Sequence, residues 1–540
     1  MQSAPRERRM GIRKKMRLYS RVVHEMETLE PIAPPGKGRT LISRLFPGSD
    51  VAIARRARYL SSDDPRSAPA ESSETKAPGE EESQLEASGG KATVQTDNYT
   101  DINGESVDIH HARNDPIAPT LGYWGSFFSM IAYSVALGVL SIPLTVATIG
   151  IVPFILLCVL FGVLTMYVGI EYWRITIMYP GVHNLEQAGD LLYGKPGAVI
   201  FSSVQLIFSI FLQGNHVLLG VYAFHYLGWH SCAVALAVVF AIISFVSTLP
   251  RSYKLFSIQA SISFTSILTV VIVTMISSAV SGPQNKSPDD PPKRILAFGS
   301  TPQVPHDFLA GVSAVSNVFV SFGAHPSYMP IISEMRDRRQ FPKSVGLVVI
   351  ISFVVYVITG CVVNKYLGQY TKSPSLGSLT PTMVKVAYGL AIPTILVAGV
   401  ASGHVSGKAL FVSFFRSKKR RRFANNRAVT IIAWVVINIF TWTCAFILAE
   451  LIPFFSSFLN LEASLMWSLL LAAAPLFYIW RHQHDYRSSW QNFLGMLFAF
   501  TVFGIAGFLC IAGVIAAAKS IHDQYQNGSV GTPFSCSMSD

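Results

Sequence analysis

The chain has 540 residues, of which half are hydrophobic and only 14% charged, against the roughly 25% charge of a soluble globular domain. That composition excludes a chain of ordinary water-soluble domains, and about eleven apolar runs reach the roughly 20 residues needed to cross a hydrocarbon core. The net charge of +12 does not call for nucleic acid, because much of it falls in short linkers between those runs.

Residues 1–118 are different in kind. The first sixty are rich in arginine and lysine (Arg6, Arg8, Arg9, Arg13, Lys14, Lys15, Arg17, then Arg55, Arg56, Arg58), and an acidic stretch with Asp63, Asp64, Glu80, Glu81, Glu82 and Glu86 follows. Opposed charge blocks with little apolar content cannot bury enough surface to fold, which predicts a disordered cytoplasmic tail. No apolar h-region of a secretory signal is visible, and Glu7, Glu25, Glu27 and Glu30 count against a mitochondrial presequence. The basic part can touch anionic lipid or stay solvated.

The apolar segments fall at about 122–148, 151–174, 198–226, 231–249, 255–281, 307–333, 343–367, 381–412, 428–450, 452–480 and 491–517. Linkers on one side carry Arg174, Lys195, Arg251, Lys254, Arg336, Arg338, Arg339, Lys343, the basic run 416–422, Arg481 and Arg487. Those on the other side hold few cations, among them Lys286, Lys293, Arg294 and Lys372. The positive-inside bias puts the N-terminus in the cytoplasm, and an odd number of crossings then puts a short tail, 519–540, outside. The sequons at Asn285 and Asn527 fall on the outer side, and that at Asn98 on the inner. Cys158, Cys232, Cys361, Cys444, Cys510 and Cys536 form no CxxC pair and lie mostly in apolar runs, so neither a metal framework nor a disulfide scaffold is expected.

The first segment contains Ser-Val-Ala-Leu-Gly-Val-Leu-Ser-Ile-Pro at 134–143, with Gly138 and Pro143 five residues apart. Glycine tolerates non-helical torsions, and proline removes a donor and clashes with the preceding turn. In lipid, freed backbone groups are tolerated only where protein or a water-lined cavity satisfies them. A second such stretch, Phe322-Gly323-Ala324-His325-Pro326, lies in the sixth segment. Breaks at matching places in two halves of a chain point to a transporter binding site.

Ionisable groups at membrane depth raise functional hypotheses. His216 in the third segment can relay a proton or simply bond a carbonyl. Glu462 in the tenth can accept a proton, meet a substrate amine, or pair locally near the outer surface. Glu171, Glu450 and Lys408 lie near segment ends and read as snorkelling, structural groups. No HExxH, P-loop or GxSxG pattern is present, so no enzymatic grouping is expected.

From these residues the chain resembles the amino acid/auxin permease superfamily, and within it fungal neutral amino acid permeases of the methyltryptophan-resistance type. The likeness covers about 119–518. It rests on Leu-Gly-Val-Leu-Ser-x-Pro at 137–143, Tyr179-Pro180-Gly181-Val182, Gly214-Asn215-His216 and Leu249-Pro250-Arg251. Further on come Gly323-Ala324-His325-Pro326, Ile332-Ser333-Glu334-Met335, Phe341-Pro342-Lys343-Ser344, the run 388–394, Gly403-His404-Val405 and Lys408. Glu462 departs from the family, which usually has a small or apolar residue nearby.

The resemblance implies an all-α polytopic membrane protein with about eleven transmembrane helices. Helices one to five and six to ten would form a five-plus-five inverted repeat, with helices 1 and 6 broken and the eleventh added outside. The function expected is a secondary active transporter of neutral amino acids, working by alternating access. Amides around Ala136, Leu137, Gly138 and Val139 suit the substrate carboxylate. Carbonyls around Ser134 and Phe322, Gly323 and Ala324 suit its ammonium, and Phe322 helps shape the side-chain pocket. Gly138 and Gly323 either admit ligand or merely let helices pack closely. The coupling ion is a proton through His216 or Glu462, or sodium through Ser402, with the fungal likeness favouring the proton. No cofactor beyond that ion and no nucleic acid is expected; the partners are an amino acid and the bilayer. The plasma membrane is favoured over the vacuole. The alternative is an amino-acid-sensing membrane receptor with a transporter fold.

Overall fold

The computed structural model describes Tyr99–Thr100, Ser106–Val107 and residue 121 onward, except 137, 180, 251–252, 285, 288, 301–303, 305–306, 416–425, 484–486, 527–532 and 537–540. The expectation for the tail therefore lies outside the described residues, apart from a short antiparallel pair, β1 (Tyr99–Thr100) with β2 (Ser106–Val107). Leu137, the basic run 416–422 and the sequon residues Asn98, Asn285 and Asn527 also lie outside them.

From Leu121 the described chain is helical. The first segment is two helices, α1 (Tyr123–Ser134) and α2 (Gly138–Ile149), bent by 47°. Gly150, with φ +88°, turns the chain into α3 (Ile151–Met178). The Asn184 side chain accepts from the Gln187 amide at 2.9 Å and caps the short α4 (Leu185–Tyr193). Gly194, at φ +71°, ends α4, and a proline in the first turn opens α5 (Lys195–Tyr226). Then come α6 (Ala233–Thr248) and α7 (Tyr253–Ser281). The sixth segment is also divided: α8 (Phe308–Ser321), a 3₁₀ turn at His325–Ser327, and α9 (Tyr328–Glu334). After it follow α10 (Phe341–Leu367), α11 (Pro381–Phe415) and α12 (Arg427–Leu451). The tenth segment is α13 (Phe455–Glu462), a π turn at Ala463–Trp467, and α14 (Ser468–His482); α15 (Trp490–Gln526) closes the bundle.

Among the described residues nine spans are long and apolar enough to cross a membrane, and the bent pair α1–α2 makes ten. The sixteen residues of α6 fall short of that length, about 24 Å at 1.5 Å per residue. Apolar side chains cover the outside and make up most of the interior, with polar groups buried among them. Ile431, Ile432, Val436, Ile439 and Phe440 of α12 are exposed, whereas Gln205, Gln213, Asn215, His216, Asn317 and Glu462 are buried. Lipid tails give apolar side chains no reason to leave them, so helices meet through small residues and hydrogen bonds.

Two sets of such contacts fix helix directions. Ser126 Oγ lies 2.9 Å from Ser344 Oγ, and Ser134 Oγ lies 3.0 Å from Ser352 Oγ. Both partners advance by the same step, so α1 and α10 run in the same direction. Gln213 donates to Ser406 Oγ at 3.0 Å, while Tyr226 stacks on Tyr388 at 4.9 Å, so α5 and α11 run in opposite directions.

One expectation needs correction. Cys232, at the start of α6, is bonded to Cys536 in the C-terminal tail. A separation of 304 residues leaves no spacing from which a sequence could reveal the pair.

Candidate functional site

Ser134 and Ser321 are the last residues of α1 and α8, so the carbonyls there lose their helical partners. Side chains from neighbouring helices take them up. The Tyr356 hydroxyl lies 2.6 Å from Ser134 O and 2.5 Å from Ser321 O. Ser134 Oγ donates to Ser321 O at 3.1 Å, and Thr165 of α3 donates to Phe322 O at 3.0 Å. The carbonyls expected to meet an ammonium thus already accept hydrogen bonds within the protein, and each carbonyl oxygen has two lone pairs.

The two breaks touch. A Cβ placed on Gly138 would lie 2.6 Å from Ser321 Cα, a separation that real Cβ atoms essentially never show. Phe322, fully buried, packs edge-on against Tyr356 with ring centroids 5.1 Å apart.

Between the breaks lies a small cavity of about 20 Å³, room for a water and not for an amino acid. Ser134, Ala136 and Gly138 line it from the first break and Val320 from the second, with His216 of α5 and Ala398 of α11 opposite. Four candidates from the sequence therefore meet at one place. Val139, Phe322, Gly323 and Ala324 do not line the cavity, and Leu137 lies outside the described residues. Sequence reasoning passed over Tyr133, Leu212 and Leu459, which complete the lining, and over Thr165, Ser352 and Tyr356. Each sits in an apolar run where a lone hydroxyl or aliphatic group carries no signal of the helix it will meet.

His216 Nδ1 lies 2.7 Å from Leu212 O, one turn back. That bond requires the proton on Nδ1 and leaves Nε2 as an acceptor in the neutral ring. Nε2 is buried and has no hydrogen-bond partner. The next residue back, Asn215, donates through Nδ2 to Glu462 Oε2 at 2.5 Å, and Glu462 is fully buried. Ser402 is buried too, but its hydroxyl donates to Ala398 O of its own helix at 3.3 Å and does not line the cavity.

Lys408 does more than snorkel. It forms an ion pair with Glu334 at the end of α9, with side-chain exposures of 23% and 6%. The Glu334 backbone is held as well: Leu121 N donates to Glu334 O at 2.8 Å, and Arg336 N donates to Leu121 O at 2.9 Å. Glu171 pairs with Arg174 at 2.7 Å and Arg481 at 3.3 Å, in agreement with a structural role. Asp307 caps α8 through Ala310 N and meets Lys519 of α15 at 2.9 Å, and that ammonium holds its carboxyl below the usual carboxylate range.

The sequence model of the family described as transmembrane amino acid transporter protein matches residues 119–519. The chain belongs to this family. Among its relatives, the N amino acid transport system protein of Neurospora crassa is 28% identical over 415 residues, 75% of this chain and 86% of that protein. A protein named transmembrane transporter from Fusarium pseudograminearum is 23% identical over 444 residues, covering 80% of this chain and 90% of its own length. The crystal structure of MhsT in complex with L-phenylalanine matches 73% of this chain and 98% of that one, at 14% identity and a TM-score of 0.49. Membership agrees with the resemblance read from the helix breaks and the surrounding motifs. This amino acid transporter family protein is a multi-pass membrane protein.

Proposed function

We propose that the chain is a secondary active transporter of neutral amino acids, with its substrate site between the two helix breaks. The observation that carries this reading is the shared cavity, lined by Ser134, Ala136 and Gly138 on one side and Val320 on the other, with His216 opposite. Helix-end amides of α2, around Ala136, Gly138 and Val139, suit the carboxylate. The unpartnered Nε2 of His216 suits the ammonium, as does the carbonyl of Ser134, which can accept a second hydrogen bond. Phe322, Gly323 and Ala324 shape the far wall once the breaks separate. The cavity has room only for a water-sized group, so substrate entry requires that separation, in keeping with alternating access by rocking of one helix set on the other.

A proton is the proposed coupling ion. Glu462 is a fully buried carboxyl whose Oε2 meets Asn215, the sequence neighbour of His216. Ser402, the candidate for sodium, does not line the cavity.

The reading has eleven crossings in a five-plus-five repeat, residues 119–518 forming the transport domain between tails 1–118 and 519–540. Helix direction supports the count. The parallel run of α1 and α10, and the antiparallel run of α5 and α11, are what a bundle in which α6 crosses despite its sixteen residues would give. The basic linkers put the N-terminus in the cytoplasm. The Cys232–Cys536 bond then falls on the outer side, where disulfides persist.

Radiolabelled uptake of the twenty standard amino acids into proteoliposomes, with pH and sodium gradients varied separately, tests the proposal. Accumulation of neutral amino acids driven by an inward proton gradient is the expected result. Binding without accumulation under any gradient would favour a receptor and overturn it.

A further inference from the structure

Tyr356 is fully buried in α10, and its hydroxyl oxygen is within hydrogen-bond reach of the last carbonyl before each break. A phenol has one proton and can serve only one of them. The arrangement nevertheless closes. Tyr356 donates to Ser134 O at 2.6 Å, and Ser134 Oγ donates to Ser321 O at 3.1 Å. Ser134 Oγ, having given its proton, accepts from Ser352 Oγ at 3.0 Å, one turn before Tyr356 on the same face of α10. Three hydroxyl protons thus satisfy two orphaned carbonyls and one serine oxygen, without any charge.

We propose that Tyr356 and Ser352 form a hydroxyl clasp that holds the two helix breaks in register, Tyr356 being the positioning residue for the amino acid site. This rests on the reading that the substrate binds between the breaks. The logic is geometric. Gly138 already touches Ser321, so the distance between the amides of α2 and the wall formed by Val320 is set where the two helix ends meet. The clasp is the hydrogen-bonded link at that point. Without the phenol, one buried carbonyl is left unsatisfied, and the breaks must separate or admit water to repair it. Either change spoils the spacing on which a zwitterion with two fixed ends depends.

A control lies on the same helix pair. Ser344 bonds to Ser126 two turns before the clasp, in the same style but away from both breaks. A role confined to packing α10 on α1 predicts that Tyr356→Phe and Ser344→Ala behave alike.

The test uses full-length purified protein, its thermal stability titrated with each of the twenty standard L-amino acids, and uptake kinetics for the best stabiliser. Tyr356→Phe keeps the ring and its contact with Phe322. It is expected to raise the half-saturating amino acid concentration and KM about 10-fold, as the loss of a buried hydrogen bond implies. Ser352→Ala is expected to raise them about 3-fold, by removing the outer member of the relay. Ser344→Ala is expected to leave both constants unchanged while lowering Tm. Should Tyr356→Phe fail to fold, Ser352→Ala against Ser344→Ala decides the matter by the same readout. Unchanged affinity in Tyr356→Phe and Ser352→Ala, or an equal loss in Ser344→Ala, overturns the clasp while the transport reading stands. A wild-type protein that no amino acid stabilises overturns the transport reading and the clasp's role with it.

Discussion

Replacing Gly138 by alanine tests whether the two breaks really meet. The added methyl would lie 2.6 Å from Ser321 Cα, whereas an ordinary carbon contact is about 3.5–4.0 Å. The breaks must therefore part by roughly 1 Å, and since the opposing atom is backbone, no rotamer change relieves it. Overpacking of this kind costs about 1–3 kcal/mol. In purified protein Gly138→Ala should lower Tm by a few degrees, and it should weaken stabilisation by amino acid beyond what the lost stability explains. Adding Ser321→Gly removes the opposing Cβ and Oγ but leaves Cα, so the double variant should recover only part of the loss. Wild-type Tm and wild-type ligand response in Gly138→Ala would refute the contact, and with it the claim that the breaks form one site.

Lys408→Met leaves Glu334 buried without its cation and should destabilise the protein by about 3 kcal/mol, the low end for breaking a buried pair because Lys408 keeps some access to water; a variant with unchanged Tm would show the pair to be incidental. Glu462→Gln keeps a group that can meet Asn215 but cannot carry a proton. It should retain exchange of amino acid across the vesicle while losing accumulation driven by a proton gradient, and undiminished accumulation would exclude Glu462 from coupling. Asp307 is held below its usual value by Lys519, so its contribution to stability is complete above the ordinary carboxylate range and is lost as pH falls through its folded-state value. Asp307→Asn should therefore lower Tm slightly near neutral pH in low salt, and not at all in acid or high salt; a difference that ignores pH would contradict the pairing.

The breaks were legible because glycine and proline in a membrane-spanning helix have few innocent explanations. The first segment, expected at 122–148, is the bent pair Tyr123–Ser134 and Gly138–Ile149, and the sixth, expected at 307–333, divides at the anticipated place. What closes the site was not legible. Tyr356, Ser352 and Thr165 are single hydroxyls in apolar runs, and their partners lie 222, 218 and 157 residues away. Glu462 was conspicuous as an ionisable group at membrane depth, yet its partner Asn215 lies 247 residues away and nothing local marks the pair. Lys408 was read as a snorkelling end group because its length allows that. Only the fold reveals that Glu334 is within its reach.

A structure of the protein with a bound neutral amino acid tests the central claim most directly. The account predicts ligand density between α1–α2 and α8–α9, its carboxylate at the amides of Ala136, Gly138 and Val139 and its amine beside His216 Nε2. Density elsewhere in the bundle, with the breaks still closed on their water-sized cavity, would contradict it.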